Sequence, residues 1–165
     1  MHAADVLYYG HCTFLDAVKA VPERDWDQSG VCGEWSVRNL IAHLASYELV
    51  LCDVLASISG GNEPTPHLDE FVKPGAHFND TQVGLRRSWT GEATLNEYNA
   101  AHDRATALAK AIPEGTWAET GTIPWYGAEY SLDDLVVYMY YGHKREHSAQ
   151  IAAFCDRLNR SEAAA

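Results

Sequence analysis

The sequence predicts an all-α fold, a bundle of four long helices joined by long connections. Apolar residues recur at helical spacing in four long stretches, and three of these open with a residue that caps helix N-termini. The alternation expected of strands is almost absent. At 165 residues the chain has the size of one ordinary domain, expected to span residues 1–165, and can bury a core without staples.

The first helix is expected from about residue 4 to 20, with Val6, Leu7, Phe14, Leu15 and Val18 at helical spacing and Pro22 as its stop. A loop rich in charge and glycine follows, from Pro22 to Gly33. Ser36 reads as the N-cap of a second helix running to about Ser57. Its apolar positions, from Val37 and Leu40 through Val54 and Leu55, form the wide face of a helix packed on two neighbours. From Ser59 to about Asp80 the chain is rich in turn residues (Gly60-Gly61, Pro64, Pro66, Pro74-Gly75). Connections of that length often act as lids or binding loops. A short helical stretch is expected at Thr81–Trp89. A third long helix is expected from Glu92 to Ala111, capped by Thr90 or Gly91 and ended by Pro113. Gly115 to Tyr130 reads as a loop with a short extended piece near Thr122–Trp125. Ser131-Leu132-Asp133-Asp134 resembles a capping box with Asp in the usual Glu place and opens a fourth helix reaching Asn159. The tail from Ser161 is expected to fray.

Composition narrows the function. Hydrophobic residues make up 47% and charged residues 21%, which is neither a disordered nor a membrane composition. The net charge of −11, without a Lys/Arg cluster, argues against nucleic acid as a partner. No uncharged apolar stretch approaches the roughly 20 residues that span a bilayer, and no basic-then-apolar segment opens the chain, so no membrane partner is expected and the location is expected to be cytoplasmic. Cys12, Cys32, Cys52 and Cys155 form no C-x-x-C pair and read as buried or half-buried thiols in a reducing compartment.

Chemistry concentrates on the fourth helix. Its apolar stripe runs Leu132, Val136, Met139, His143, His147, Ile151, Phe154, Leu158, so two histidines sit at core-facing positions one turn apart. Two imidazoles at that spacing can share a metal ion. Two separate core histidines would each need partners for both ring nitrogens, whereas a shared ion satisfies two nitrogens at once. On the second helix, His43 lies on the stripe Leu40, His43, Tyr47, Val50, Val54 and should also face inward. Facing helices of a bundle can bring His43, His143 and His147 together. Three neutral imidazoles suit zinc, nickel, cobalt or iron and leave positions open for water or substrate.

The other histidines are weaker candidates. His2, His67 and His77 fall in the terminus or loops and are expected to be solvated, and His11 reads as packed or at the surface. His102, one turn after Tyr98, is the substitute ligand should His43 fail. Glu48, Asp53 and Glu146 could accept an N–H from a ligating histidine, against the simpler reading of solvated or capping carboxylates. Gln150, three residues after His147, could bond into the site or to nearby backbone. Phosphate-loop, dinucleotide and nucleophile-elbow motifs are absent. The run His143-Lys144-Arg145-Glu146-His147 lacks the Glu directly after the first His that a zincin peptidase uses.

Two segments carry a wider likeness. Gly33-Glu34-Trp35-Ser36-Val37-Arg38-Asn39-Leu40-Ile41-Ala42-His43-Leu44 resembles the W-S/T-V-R-x-x-x-x-H-L signature of the DinB/YfiT-like superfamily. Gly142 to Ile151 resembles its H-x-x-x-H-x-x-Q-I signature, and Trp125 sits where many members carry a Pro-Trp segment. The resemblance spans nearly the whole chain. It implies a four-helix bundle with long connections and a divalent metal, zinc or nickel foremost, held by residues matching His43, His143 and His147. It also implies thiol chemistry, since characterised relatives include mycothiol-dependent maleylpyruvate isomerase and bacillithiol or mycothiol S-transferases. The expected function is then addition or transfer of a low-molecular-weight thiol to an electrophilic small molecule held under the Ser59–Asp80 loop and lined by Trp125-Tyr126. The partner is a small-molecule substrate, and a homodimer is in keeping with the family. The alternatives are a non-catalytic protein that sequesters a small molecule or metal, and a metal-dependent hydrolase.

Overall fold

A computed structural model of the chain describes residues 3–163; His2 and the last two residues of the tail lie outside the described residues. Helices dominate, and no strand occurs among the described residues, where β-type pairing is confined to an isolated bridge between Cys32 and Trp35. Helix α1 (Ala3–Lys19) ends ahead of Pro22, and a single 3-10 turn follows at Glu23–Asp25. Helix α2 (Val37–Ile58) starts at Ser36, whose hydroxyl accepts the Asn39 N–H while the Asn39 side chain accepts the Ser36 N–H. That reciprocal pair satisfies two backbone donors that would otherwise go unbonded.

The connection after α2 is more ordered than its glycines and prolines imply. It holds helix α3 (Pro66–Phe71), and helix α4 (Phe78–Leu85) begins three residues ahead of the expected Thr81 and stops four short of Trp89. The cause lies elsewhere in the chain. Asp53 of α2, nearly buried, accepts the backbone N–H groups of His67 and Leu68 at 2.7 and 3.1 Å, so α3 is capped by another helix. Phe78 starts α4 because its ring is buried against the core.

Helix α5 (Gly91–Ala111) is capped by Thr90, whose hydroxyl accepts the Ala93 N–H. The short helix α6 (Glu114–Trp117) follows. The extended piece expected at Thr122–Trp125 is absent: the segment turns, with Gly121 at φ 78° and the Tyr126 N–H bonded to the Ile123 carbonyl. Ser131 and Asp134 close the capping box that opens α7 (Leu132–Leu135). What reads as one long fourth helix then changes its hydrogen bonding. Residues Val136–Gly142 form a π segment, and α8 (His143–Ala163) resumes the α pattern and runs past Asn159 through residues 161–163, where fraying is expected.

The long helices pair as α2 on α5 and α1 on α8 with its π segment. Helix α2 is long and apolar enough to span a bilayer by length and composition, but 72% of its apolar window is buried inside the bundle, as in a core helix. The apolar interior divides in two. One cluster holds Leu7, Leu51, Leu55, Trp117, Leu135 and Tyr140; the other holds Phe14, Val18, Leu40, Ile41, Leu44, Tyr98 and Ile151. Buried polar residues of α2, α5 and α8, among them His43, Glu48, His102, Lys144 and His147, interrupt this apolar interior. All four cysteines are free; Cys52 is buried and the others half-buried. Burial pushes the Cys52 thiol up to about 12, which leaves it a poor nucleophile.

Candidate metal centre

The site begins with the entry to α2. The backbone N–H of Trp35 donates to the Cys32 carbonyl at 3.0 Å, and the Trp35 ring lies 5.0 Å from that of His43. Ser36 caps the helix, Val37 is fully buried, and Arg38 ties the helix to the α4–α5 connection through the carbonyls of Arg87 and Trp89 while pairing with Asp27. Each residue of the Trp-Ser-Val-Arg run thus fixes the pose of the first turn, and His43 follows on the inward face.

The structure brings His43, His143 and His147 into one cluster, their ligand atoms all within 4.8 Å of one another. His143 Nε2 lies 2.9 Å from His43 Nε2 and 2.8 Å from His147 Nε2. A ring nitrogen has one in-plane site, filled by a proton or by a lone pair. His143 Nε2 therefore cannot make two good hydrogen bonds at once, and a network of neutral rings leaves the cluster under-satisfied. Three lone pairs directed at one cation have no such conflict.

Electrostatics keeps the rings neutral. Burial, then the neighbouring His143 and His147, pushes His43 down to about 2. Burial, His147 and Lys144 push His143 down to about 3, and burial lowers His147 as well. His147 Nδ1 donates to Gln150 Oε1 at 2.8 Å, which turns the ring and leaves its Nε2 lone pair facing the cluster. Gln150 therefore bonds into the site. His43 Nδ1 is buried and has no hydrogen-bond partner. Three neutral imidazoles with low proton affinity fit a divalent first-row ion, and His43, His143 and His147 are the residues that would hold it.

The cluster is not sealed. His143 is half-buried and lines a cleft of about 330 Å³ together with Tyr47, Tyr138, Met139, Gly142 and Glu146. Tyr47, one turn after His43 on α2, also lines an adjoining cleft of about 360 Å³ with Phe71, Phe78, His77, Asn79 and Asp80. Its ring stands edge-on to His43 and His143 at 4.8 and 4.6 Å, and its hydroxyl donates to Asn79 Oδ1 at 3.3 Å. The Ser59–Asp80 connection thus supplies one wall. Trp125 backs that wall through Phe71, at 5.7 Å, rather than lining the clefts, and Tyr126 lies beyond it.

Other expectations resolve differently. His102 is not drawn into the cluster; its Nδ1 lies 3.4 Å from Glu48 Oε2. His11 stacks on His102 with ring centres 3.8 Å apart. His77 is exposed, whereas His67 is half-buried at the start of α3 because Asp53 binds its N–H. Of the carboxylates, Asp53 is a cap and Glu146 stands exposed on the cleft. Glu48 is neither solvated nor a cap: it is fully buried and ion-paired with Lys144, itself 1% exposed. Burial alone would raise the Glu48 carboxyl, but Lys144 and His102 outweigh it and hold it at about 2.

Sequence reasoning missed Lys144, whose buried pairing with Glu48 has no local marker. The inner face of the last helix runs through Tyr140, Lys144 and Ser148, and the two histidines flank it on the side of α2. The wider π turn before His143 contributes to that rotation, and its i→i+5 bonding has no marker in composition. Gly10 of α1 makes room for the lysine: a Cβ there would stand 3.2 Å from Lys144 Cδ.

Compared with known proteins, residues 10–151 match the family model described as the DinB superfamily. No curated protein and no solved structure matches the chain.

Proposed function

The chain belongs to the DinB superfamily, and from that membership we propose that it is a divalent-metal-dependent enzyme joining a low-molecular-weight thiol to an electrophilic small molecule. The observation that carries this reading is the convergence of three neutral imidazoles beside an open cleft. His43, His143 and His147 would hold the divalent ion, zinc or nickel, whose positive charge would lower the pKa of a nearby thiol. The chain's own residues do the rest. Gln150 holds His147 in the required tautomer. His143 faces the cleft through which both substrates enter. Tyr47, Phe71 and Phe78 form an aromatic wall that orients the electrophile and keeps water from it. The protein's cysteines take no part; the buried one among them is held as an unreactive thiol.

The test combines elemental analysis with turnover. Purified protein should carry about one equivalent of zinc or nickel, lost in His143→Ala. It should then conjugate a thiol such as cysteamine to an electrophile such as chlorodinitrobenzene over many cycles. Metal-loaded protein that consumes at most one equivalent of electrophile, or that acts equally well without thiol, overturns the proposal.

A further inference from the structure

The three histidines of the cluster are not equally supported. A ring that offers its Nε2 lone pair to a cation carries its proton on Nδ1, and that N–H then needs an acceptor. For His147 the acceptor is present: Nδ1 donates to Gln150 Oε1 at 2.8 Å. For His43 it is missing. His43 is 2% exposed, and its buried Nδ1 has no hydrogen-bond partner among the described residues. Trp35 and Tyr47 flank its ring, with ring centres 5.0 and 4.8 Å away. An indole offers no acceptor, and the Tyr47 hydroxyl is turned to Asn79. The Ser46 hydroxyl, three residues on, is bonded to the His43 carbonyl rather than to the ring.

Metal binding brings this difference out. Without an ion, His43 can keep its proton on Nε2 and donate it to His143 Nε2, 2.9 Å away. Ligation through Nε2 moves the proton to Nδ1, from a bonded position to one where a buried N–H goes unanswered. His147 meets no such penalty, because Gln150 accepts its proton in either case. A ligating histidine deprived of its acceptor typically weakens a metal site about 10–100-fold. Resting on the reading that His43, His143 and His147 hold the ion, we infer that His43 is the exchangeable ligand of the three. It gives way when a thiol or another incoming donor competes for the ion, while His147 stays in place.

Two measurements test this. Zinc affinity is read by chelator competition in His43→Ala and His147→Ala. In the unaltered zinc-loaded protein, nitrogen NMR follows the histidine rings as imidazole is added. His147→Ala should lose at least about tenfold more affinity than His43→Ala. Imidazole should release the His43 ring first, its Nε2 signal moving to the metal-free position while that of His147 holds. Equal losses in the two variants, or a greater loss in His43→Ala, overturn the inference. So does a His43 ring that stays bound at saturating imidazole, or that leaves with or after His147. The spectra need no substitution, so they decide the order even where an alanine variant does not fold. Neither measurement uses an electrophile. The expected order without turnover would therefore sink the proposed reaction alone, and turnover with the order reversed would sink this inference alone; protein that takes up no zinc sinks both.

Discussion

The Glu48–Lys144 pair lends itself to a sharp test of what holds the bundle together. The perturbation is Lys144→Met, which keeps the length of the side chain and removes its charge. Glu48 is fully buried, so the change strands a carboxylate among apolar groups with His102 as its remaining partner. Removing one member of a buried ion pair typically costs about 3–5 kcal/mol, a large share of the roughly 5–15 kcal/mol by which a domain is stable. For a chain of this size each kcal/mol moves the Tm by about 2–4 °C, so the expected drop is about 6–20 °C. Replacing both members with apolar side chains, Glu48→Leu/Lys144→Met, removes the uncompensated charge and should recover most of the loss, because apolar replacements of buried pairs are often neutral or stabilising. The assay is thermal unfolding followed by far-ultraviolet circular dichroism, in chelator to exclude any contribution of metal. A single variant within about 1 kcal/mol of the parent, or a double variant no more stable than the single, would refute the argument.

Three further outcomes follow from the same geometry. Because the folded-state pKa values of His43 and His143 lie near 2 and 3, below the ordinary value, the unfolded chain binds protons that the folded chain does not. Metal-free protein should therefore lose stability as pH falls below about 6.5, by up to about 1.4 kcal/mol per pH unit for each ring, and denaturant melts between pH 7 and 4 would read this slope. Gln150→Leu should weaken zinc binding about 10–100-fold in a chelator competition while leaving the metal-free Tm nearly unchanged. Asp53→Ala should cost about 1–3 kcal/mol and raise hydrogen exchange at the amides of His67 and Leu68; unchanged exchange there would show that the carboxylate does not cap α3.

Where structure was legible in the sequence, the cause was local. Ser36, Thr90 and Ser131 cap their helices through residues three positions on, so a short window contains both partners. The four-residue spacing of His143 and His147 likewise announces a shared face. Where reading failed, the partner was distant. Helix α3 depends on Asp53 from α2, and the burial of Lys144 depends on Glu48, so neither local pattern nor hydropathy could reveal them. Hydropathy in fact places a lysine outside, and the wide inner face of the last helix is recovered only with α1 and α2 both in view. Tyr47 shows an intermediate case. Its place on the His43 stripe was evident, but its position as the wall shared by two clefts arises from Phe71 and Phe78, which the connection after α2 folds against it.

The buried polar contacts between α2, α5 and α8 have a consequence for how the long helices are indexed. An apolar interior alone tolerates sliding by one turn, about 5.4 Å, because one leucine layer resembles the next. With Glu48 of α2 paired to Lys144 of α8 and beside His102 of α5, and His43 of α2 meeting His143 and His147 of α8, a slip would press an ionised group into hydrocarbon. The helices can therefore be lengthened or trimmed at their far ends without disturbing the centre. A single inserted residue between His43 and Glu48 turns one of them about 100° away from the other and breaks the histidine cluster or the ion pair.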